Sequence, residues 1–152
     1  MKKEAGQKEM NAMQFHEREQ DLFELGDEYT LAHCISADAR MGKGIAVQFR
    51  QRFGLEDLQE QAGQEPLEIG RCYPVGRTLN LVTKAKFSNK PTYQSLTNAV
   101  ESMRDVCVKD GITKLAMPRI GCGLDRLKWE KVSPIIQETF ADTDVEVIVC
   151  TL

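Results

Sequence analysis

The stretch Pro118-Arg119-Ile120-Gly121-Cys122-Gly123-Leu124-Asp125 sets two glycines around a cysteine and places a carboxylate two residues after the second glycine. Glycine has no Cβ and tolerates positive φ, so such a loop can bring backbone N–H groups up to an anion. A second loop, Met41-Gly42-Lys43-Gly44-Ile45, offers two more glycines just before a helical pattern. Neither is a nucleotide fingerprint. Arg126 occupies the third glycine position of G-x-G-x-x-G, and a phosphate loop would need Ser or Thr at Gly44 and Gly at Ala37. Taken alone, the first loop reads as a tight turn slightly more readily than as a phosphate cradle.

Two further groups could act as reagents. Lys84 ends the apolar run TLNLVTK, and Asp125 sits at the lip of the glycine loop. Lys84 as a nucleophile would have to lose a proton, which burial favours and a nearby pyrophosphate opposes. Lys86 and Lys90 read as solvated. Asp125 could bind a ribose hydroxyl or pair with Arg126 or Lys128. Cys122 could be a thiolate near a helix start, although a small spacer between glycines is the plainer reading. His16 and His33 leave little scope for a triad or a metal site, and His33 lies inside an apparent strand as a packed residue. There is no G-x-S-x-G and no H-E-x-x-H. The residues alone lead to a pocket for a phosphorylated ligand, with one lysine and one carboxylate.

The elements that would position these groups follow from periodicity. TLAHCIS (30–36) is predicted as a strand. IAVQFRQRFG repeats Ile45, Phe49 and Phe53 at a spacing of four and stops at Gly54, as a short helix does. Residues 55–66 are charged and weakly patterned. EIGRCYPV (68–75) and TLNLVTK (78–84) read as a hairpin turning at Val75-Gly76-Arg77. Tyr93, Leu96, Val100, Met103 and Cys107 mark one face of a long helix closed by Gly111. A strand over 112–120 leads into the glycine loop. Trp129, Val132, Ile136 and Phe140 outline a second helix whose Pro134 suits its first turn. VEVIVCTL closes the sequence as a strand. Such alternation predicts an α/β sheet with helices on both faces and ligands at the strands' carboxyl ends, where loops 37–44 and 121–127 fall.

Composition sets the outer bounds. The 152 residues suffice for one domain, with 1–13 expected as a flexible tail and 14–152 as the folded unit. Net charge is −3, from 20 basic and 23 acidic residues, which argues against non-specific nucleic-acid binding as the main role. No run is long and apolar enough for a membrane span. Five scattered cysteines (Cys34, Cys72, Cys107, Cys122 and Cys150) without a C-x-x-C pair indicate reduced thiols in an intracellular protein.

Together, LAHCISADARMGKGIAVQFRQRFG, LNLVTKAKFSNKPTYQSL and MPRIGCGLDRLKWEKV resemble the macrodomain family and, within it, ADP-ribosyl-acceptor hydrolases of the same size. The resemblance spans Gln20 to Leu152. It implies a three-layer α/β/α macrodomain with a mixed central sheet, binding ADP-ribose across the strand ends. Asp21 and Leu22 would meet the adenine, with Gln20 where the family usually has glycine. Ser36, Gly42, Gly44 and Ile45 would line the first loop. Pro118, Arg119, Ile120, Gly121, Cys122, Gly123 and Leu124 would wrap the diphosphate and distal ribose, and Leu152 would lie against the ligand.

The implied catalytic residues are Lys84, attacking the anomeric carbon, and Asp125, acting as acid and base, with no metal and no cofactor. The implied partners are ADP-ribose and ADP-ribosylated proteins, with ADP-ribosylated nucleic acid as a further substrate class. The expected setting is the nucleus or cytoplasm, with the nucleus favoured by the resemblance, and the expected state is a monomer without membrane association. The leading expectation is removal of mono-ADP-ribose from glutamate or aspartate through a covalent lysine intermediate, with deacylation of O-acetyl-ADP-ribose alongside. The alternatives are a non-catalytic ADP-ribose reader and a hydrolase of DNA-linked ADP-ribose, approached through Arg40, Lys43, Arg50 and Arg52.

Overall fold

A computed structural model describes residues 13–152. The tail expected over 1–13 lies outside the described residues except for Met13, which packs against the core. The strands are β1 (Gln14–Glu19), β2 (Thr30–Ser36), β3 (Cys72–Val75), β4 (Thr78–Lys84), β5 (Lys114–Met117) and β6 (Glu146–Thr151). The helices are α1 (Ile45–Phe53), α2 (Glu56–Gln64), α3 (Tyr93–Asp110) and α4 (Trp129–Phe140). In the described residues the strands form one six-stranded sheet in the order β1-β6-β5-β2-β4-β3. Every neighbouring pair is parallel except the hairpin β3–β4, so the sheet is mixed.

The two faces of the sheet bury separate apolar layers, because successive side chains of a strand point to opposite sides. On one face Leu79, Leu81, Leu115, Val147 and Val149 pack with Leu96, Val100 and Met103 of α3 and with Val132, Ile136 and Phe140 of α4. On the other, Leu31, Ile35, Val82 and Ile148 pack with Phe49 of α1 and with Leu58 and Ala62 of α2. This is the expected three-layer α/β/α arrangement.

α1 ends at Gly54 in the left-handed conformation and α3 at Gly111 likewise, as their stop signals predict. α3 also carries a capping box, in which Thr92 and Ser95 each satisfy the other's backbone N–H. Other elements depart from the sequence reading. The stretch 55–66 contains the helix α2, whose only fully buried residues are Leu58 and Ala62, too few to show a period. β1 is an edge strand with mostly exposed side chains and no alternation to detect. The strands expected over 68–75 and 112–120 are each only four residues long. Pro134 lies inside α4 as its sixth residue, beyond the first turn.

Candidate active site

The carboxyl ends of β2, β4 and β5 carry the loops that matter. β4 delivers Lys84 at its last position, and the loop after β5 delivers Asp125. Their side chains meet, with Lys84 Nζ donating to Asp125 Oδ1 at 2.6 Å. Only 14% and 15% of these side chains are exposed. Neither Arg126 nor Lys128 takes Asp125 as an ion-pair partner among the described residues. The two groups that spacing could not connect are thus one half-buried pair, 41 residues apart in sequence.

The loop around Asp125 is closed by its own backbone. Leu127 N–H donates to the Gly121 carbonyl at 2.8 Å, Arg126 N–H to Gly123 and Cys122 N–H to Arg119. The N–H groups of Gly121, Gly123 and Leu124 are not used in these bonds. Gly121 has φ +76°, and a Cβ there would lie 3.1 Å from Leu127 Cδ1, so this position requires glycine. α4 begins directly after, and Lys128 at its start supplies no side-chain cap, which leaves that helix end open. Ile120 is buried in the core, so any ligand contact it makes must come from its backbone.

The first loop is built the same way and is strained. Ala39 and Met41 hold φ of 51° and 49° with buried side chains, and Gly44 holds φ 63° and ψ −149°. Positive φ in non-glycine residues persists only where the surroundings enforce it. Gly44 stands at the start of α1 without a side-chain cap, so the helix N-terminus is open toward the site. The loops touch, since a Cβ on Gly44 would lie 3.3 Å from Leu124 Cδ1. Ile45 is half-buried beneath them.

Two side chains that the sequence reading passed over brace these loops. Asp38 accepts from Ser36 Oγ, from Arg40 N–H and, with its other oxygen, from Phe87 N–H, tying the loop after β2 to the loop after β4. Burial opposes ionisation of Asp38, but these donors outweigh it and hold its carboxyl below the usual range. Lys90, read as solvated, donates to the Leu124 carbonyl at 2.7 Å, fastening the loop after β4 to the one carrying Asp125. No sequence signal marks either residue, because both act across loops distant in the chain.

At the far end of the sheet, Gln20 N–H donates to the Thr151 carbonyl at 2.7 Å, so Asp21 and Leu152 emerge side by side from β1 and β6. Asp21 Oδ1 accepts from Phe23 N–H, capping a single 3₁₀ turn, and Leu22 is buried under it. Gln20 does not take a positive φ, so glycine is not needed there. Leu152 is 95% exposed. Arg119 reaches the opposite way, its guanidinium donating to Glu17 of β1, whose same oxygen also accepts from Trp129 Nε1.

The thiols are poor nucleophiles. Burial pushes Cys122 up, only partly countered by Arg119. Burial pushes Cys34 up further, and the Asp125 charge adds to it. His33 is buried and stacked 3.8 Å from the Phe49 ring, with Nε2 donating to Asn80 Oδ1 at 2.5 Å. Burial lowers its pKa to about 4, so it is a neutral packing residue. Of the basic residues expected as an approach surface, Arg50 donates to the Met41 carbonyl, Arg52 lies over Phe23 and Arg40 over Phe87.

Comparison with known proteins agrees with this fold. A family model described as Macro domain matches residues 32–136. The human protein named ADP-ribose glycohydrolase OARD1 is 48% identical over 135 residues, covering 87% of this chain and 88% of that protein. The bovine protein of the same name matches equally well. Among solved structures, the macrodomain of Mycobacterium tuberculosis DarG superposes with a TM-score of 0.83 at 21% identity, covering 91% of this chain and 97% of that one. The Thermosipho africanus DarTG in complex with ADP-ribose superposes with a TM-score of 0.78 at 23% identity, covering 91% of this chain and 42% of that one.

Proposed function

The chain belongs to the macrodomain family, and on that premise we propose that it is an ADP-ribose glycohydrolase that frees mono-ADP-ribose from protein glutamate or aspartate. The observation that carries this reading is the contact of 2.6 Å between Lys84 Nζ and Asp125 Oδ1 at the strand ends. A half-buried amine and carboxylate in contact there suit a catalyst better than a protein that only binds ADP-ribose. The 48% identity to a protein named as a glycohydrolase supports the same conclusion.

The backbone N–H groups of the two glycine loops and the open ends of α1 and α4 hold the diphosphate, which fixes the distal ribose. Asp125 takes a proton from Lys84 across their contact. The freed amine forms a C–N bond to the anomeric carbon as the ester C–O bond breaks, and the electron pair leaves on the acceptor carboxylate. The linked sugar interconverts with its open-chain imine by proton transfer from nitrogen to the ring oxygen. Water then adds at the same carbon and gives up one proton to solvent as the C–N bond breaks, and Asp125 returns its proton to Lys84. The same steps on O-acetyl-ADP-ribose carrying its ester at the anomeric oxygen would expel acetate.

The test is release of ADP-ribose from a glutamate-linked peptide. The unsubstituted enzyme releases it, Lys84→Ala does not, and borohydride traps ADP-ribose on Lys84 by reducing the open-chain imine. Undiminished release by Lys84→Ala removes the lysine from the reaction.

A further inference from the structure

The expected ligand contacts run along the sheet in strand order. Asp21 follows β1, Leu152 follows β6, Gly121 and Gly123 follow β5, Gly44 follows β2, and Lys84 ends β4. A ligand laid along that edge, adenine at β1, brings its distal ribose to β4. Whatever is attached to that ribose continues past β4 toward β3, the last strand. At that place the structure holds a cleft of about 400 Å³, lined by Lys84 itself and by Ile69, Asn89, Lys90 and Thr92. Its size lies within the roughly 300–1,000 Å³ of small-ligand sites.

We propose that this cleft is the acceptor subsite, seating the polypeptide on either side of the modified carboxyl; this rests on the hydrolase reading above. Its chemistry suits an acidic peptide. Lys84 and Lys90 line it and no carboxylate does. Lys90 keeps ammonium hydrogens beyond its bond to the Leu124 carbonyl, and the Asn89 amide NH2 can donate to a peptide carbonyl, while the Thr92 and Ser95 hydroxyls are taken up within the protein. Ile69 offers one exposed aliphatic surface, at 46%. No aromatic ring lines the cleft to stack a base, which favours a peptide over a nucleic-acid acceptor.

The walls are fixed in place. Gly70 N–H donates to the Val82 carbonyl at 2.7 Å, holding Ile69 beside β4. Gly70 has φ +89°, and a Cβ there would lie 3.0 Å from Asn98 Cβ of α3, so the turn is seated tightly on that helix. The opposite wall is held by the bond from Lys90 to the Leu124 carbonyl.

Ile69→Trp fills the cleft from an exposed position, away from the ADP-ribose loops. Release is compared on three substrates sharing one ADP-ribose: a glutamate-linked acidic peptide, a DNA-linked form and O-acetyl-ADP-ribose. ADP-ribose affinity, read by calorimetry, reports the integrity of the fold. The expected result is a KM for the peptide raised about tenfold, with ADP-ribose affinity and O-acetyl-ADP-ribose turnover unchanged, since only contacts to the acceptor are lost. Ile69→Glu raises that KM and Ile69→Lys lowers it, through charge alone. Unchanged peptide release by Ile69→Trp overturns the subsite while leaving the hydrolase reading intact. So does an equal loss on all three substrates, or a loss confined to the DNA-linked form. Absence of release by the unsubstituted enzyme on every substrate overturns the hydrolase reading and the subsite with it.

Discussion

The Lys84–Asp125 pair makes a prediction about stability that is independent of turnover. Removing one member of a fully buried pair costs about 3–5 kcal/mol, because the partner is left charged and uncompensated, whereas an exposed pair is worth about 0–1 kcal/mol. Here the side chains keep 14% and 15% of their exposure, which places the contact nearer the buried limit but leaves each some solvent. Lys84→Met and Asp125→Asn should therefore each destabilise by about 2 kcal/mol. The double variant should lose less than the sum, with a coupling of about 1–2 kcal/mol. In a domain of this size each single change lowers Tm by about 4–8 °C. Urea unfolding of the four proteins at pH 7 measures all of this together. Additivity within about 0.3 kcal/mol refutes the reasoning, as does a gain in stability from either single change.

Three further outcomes follow from the same geometry. His33 is held neutral with a pKa of about 4 against 6.5 unfolded, so the unfolded chain binds the extra proton first as pH falls. Stability should be full above pH 6.5, decline by about 3 kcal/mol down to pH 4 and level off below, and His33→Leu should remove that share of the slope. Gly44→Ala places a Cβ at φ 63° and ψ −149°, a region all but reserved for glycine, and presses it on Leu124. It should cost about 1–3 kcal/mol and weaken ADP-ribose binding in calorimetry; undiminished affinity would remove this loop from the ligand site. Cys122→Ala should keep release within about twofold, because burial keeps the thiol protonated near neutral pH; loss of release would make Cys122 a reagent after all.

Much of this architecture is legible in the sequence because packing imposes it locally. β4 and α4 have the bounds that their apolar runs and spacings indicate, and α1 and α3 stop at glycines that adopt the left-handed conformation. What escaped detection lacks such a local imprint. Among the described residues β1 is an exposed edge held by β6 alone, and α2 buries two residues in nine. The chemistry divides similarly. Gly121 and Asp125 stand out by type, but that Asp125 faces Lys84 and not its neighbours Arg126 and Lys128 depends on the crossover that sets β5 beside β2 and β2 beside β4. Asp38 and Lys90 bridge loops through backbone groups, which carry no residue identity, so no pattern of types reveals them.

The position of β6 links the order of synthesis to the birth of the site. β1 is the first described strand to leave the ribosome, yet its sheet partner is β6, the last, with Gln14 aligned on Glu146. Until β6 docks on β5, the nascent sheet ends at β5 and β1 has no neighbour among the described residues to join. The Lys84–Asp125 end needs only β2, β4, β5 and their loops, whereas the Asp21 and Leu152 end waits for this final insertion. Pairing so distant in sequence closes a long stretch of chain, which slows folding relative to a sheet of local hairpins. Asp21 and Leu152 are therefore neighbours only in the finished chain, although one stands near the start of the described residues and the other at their end.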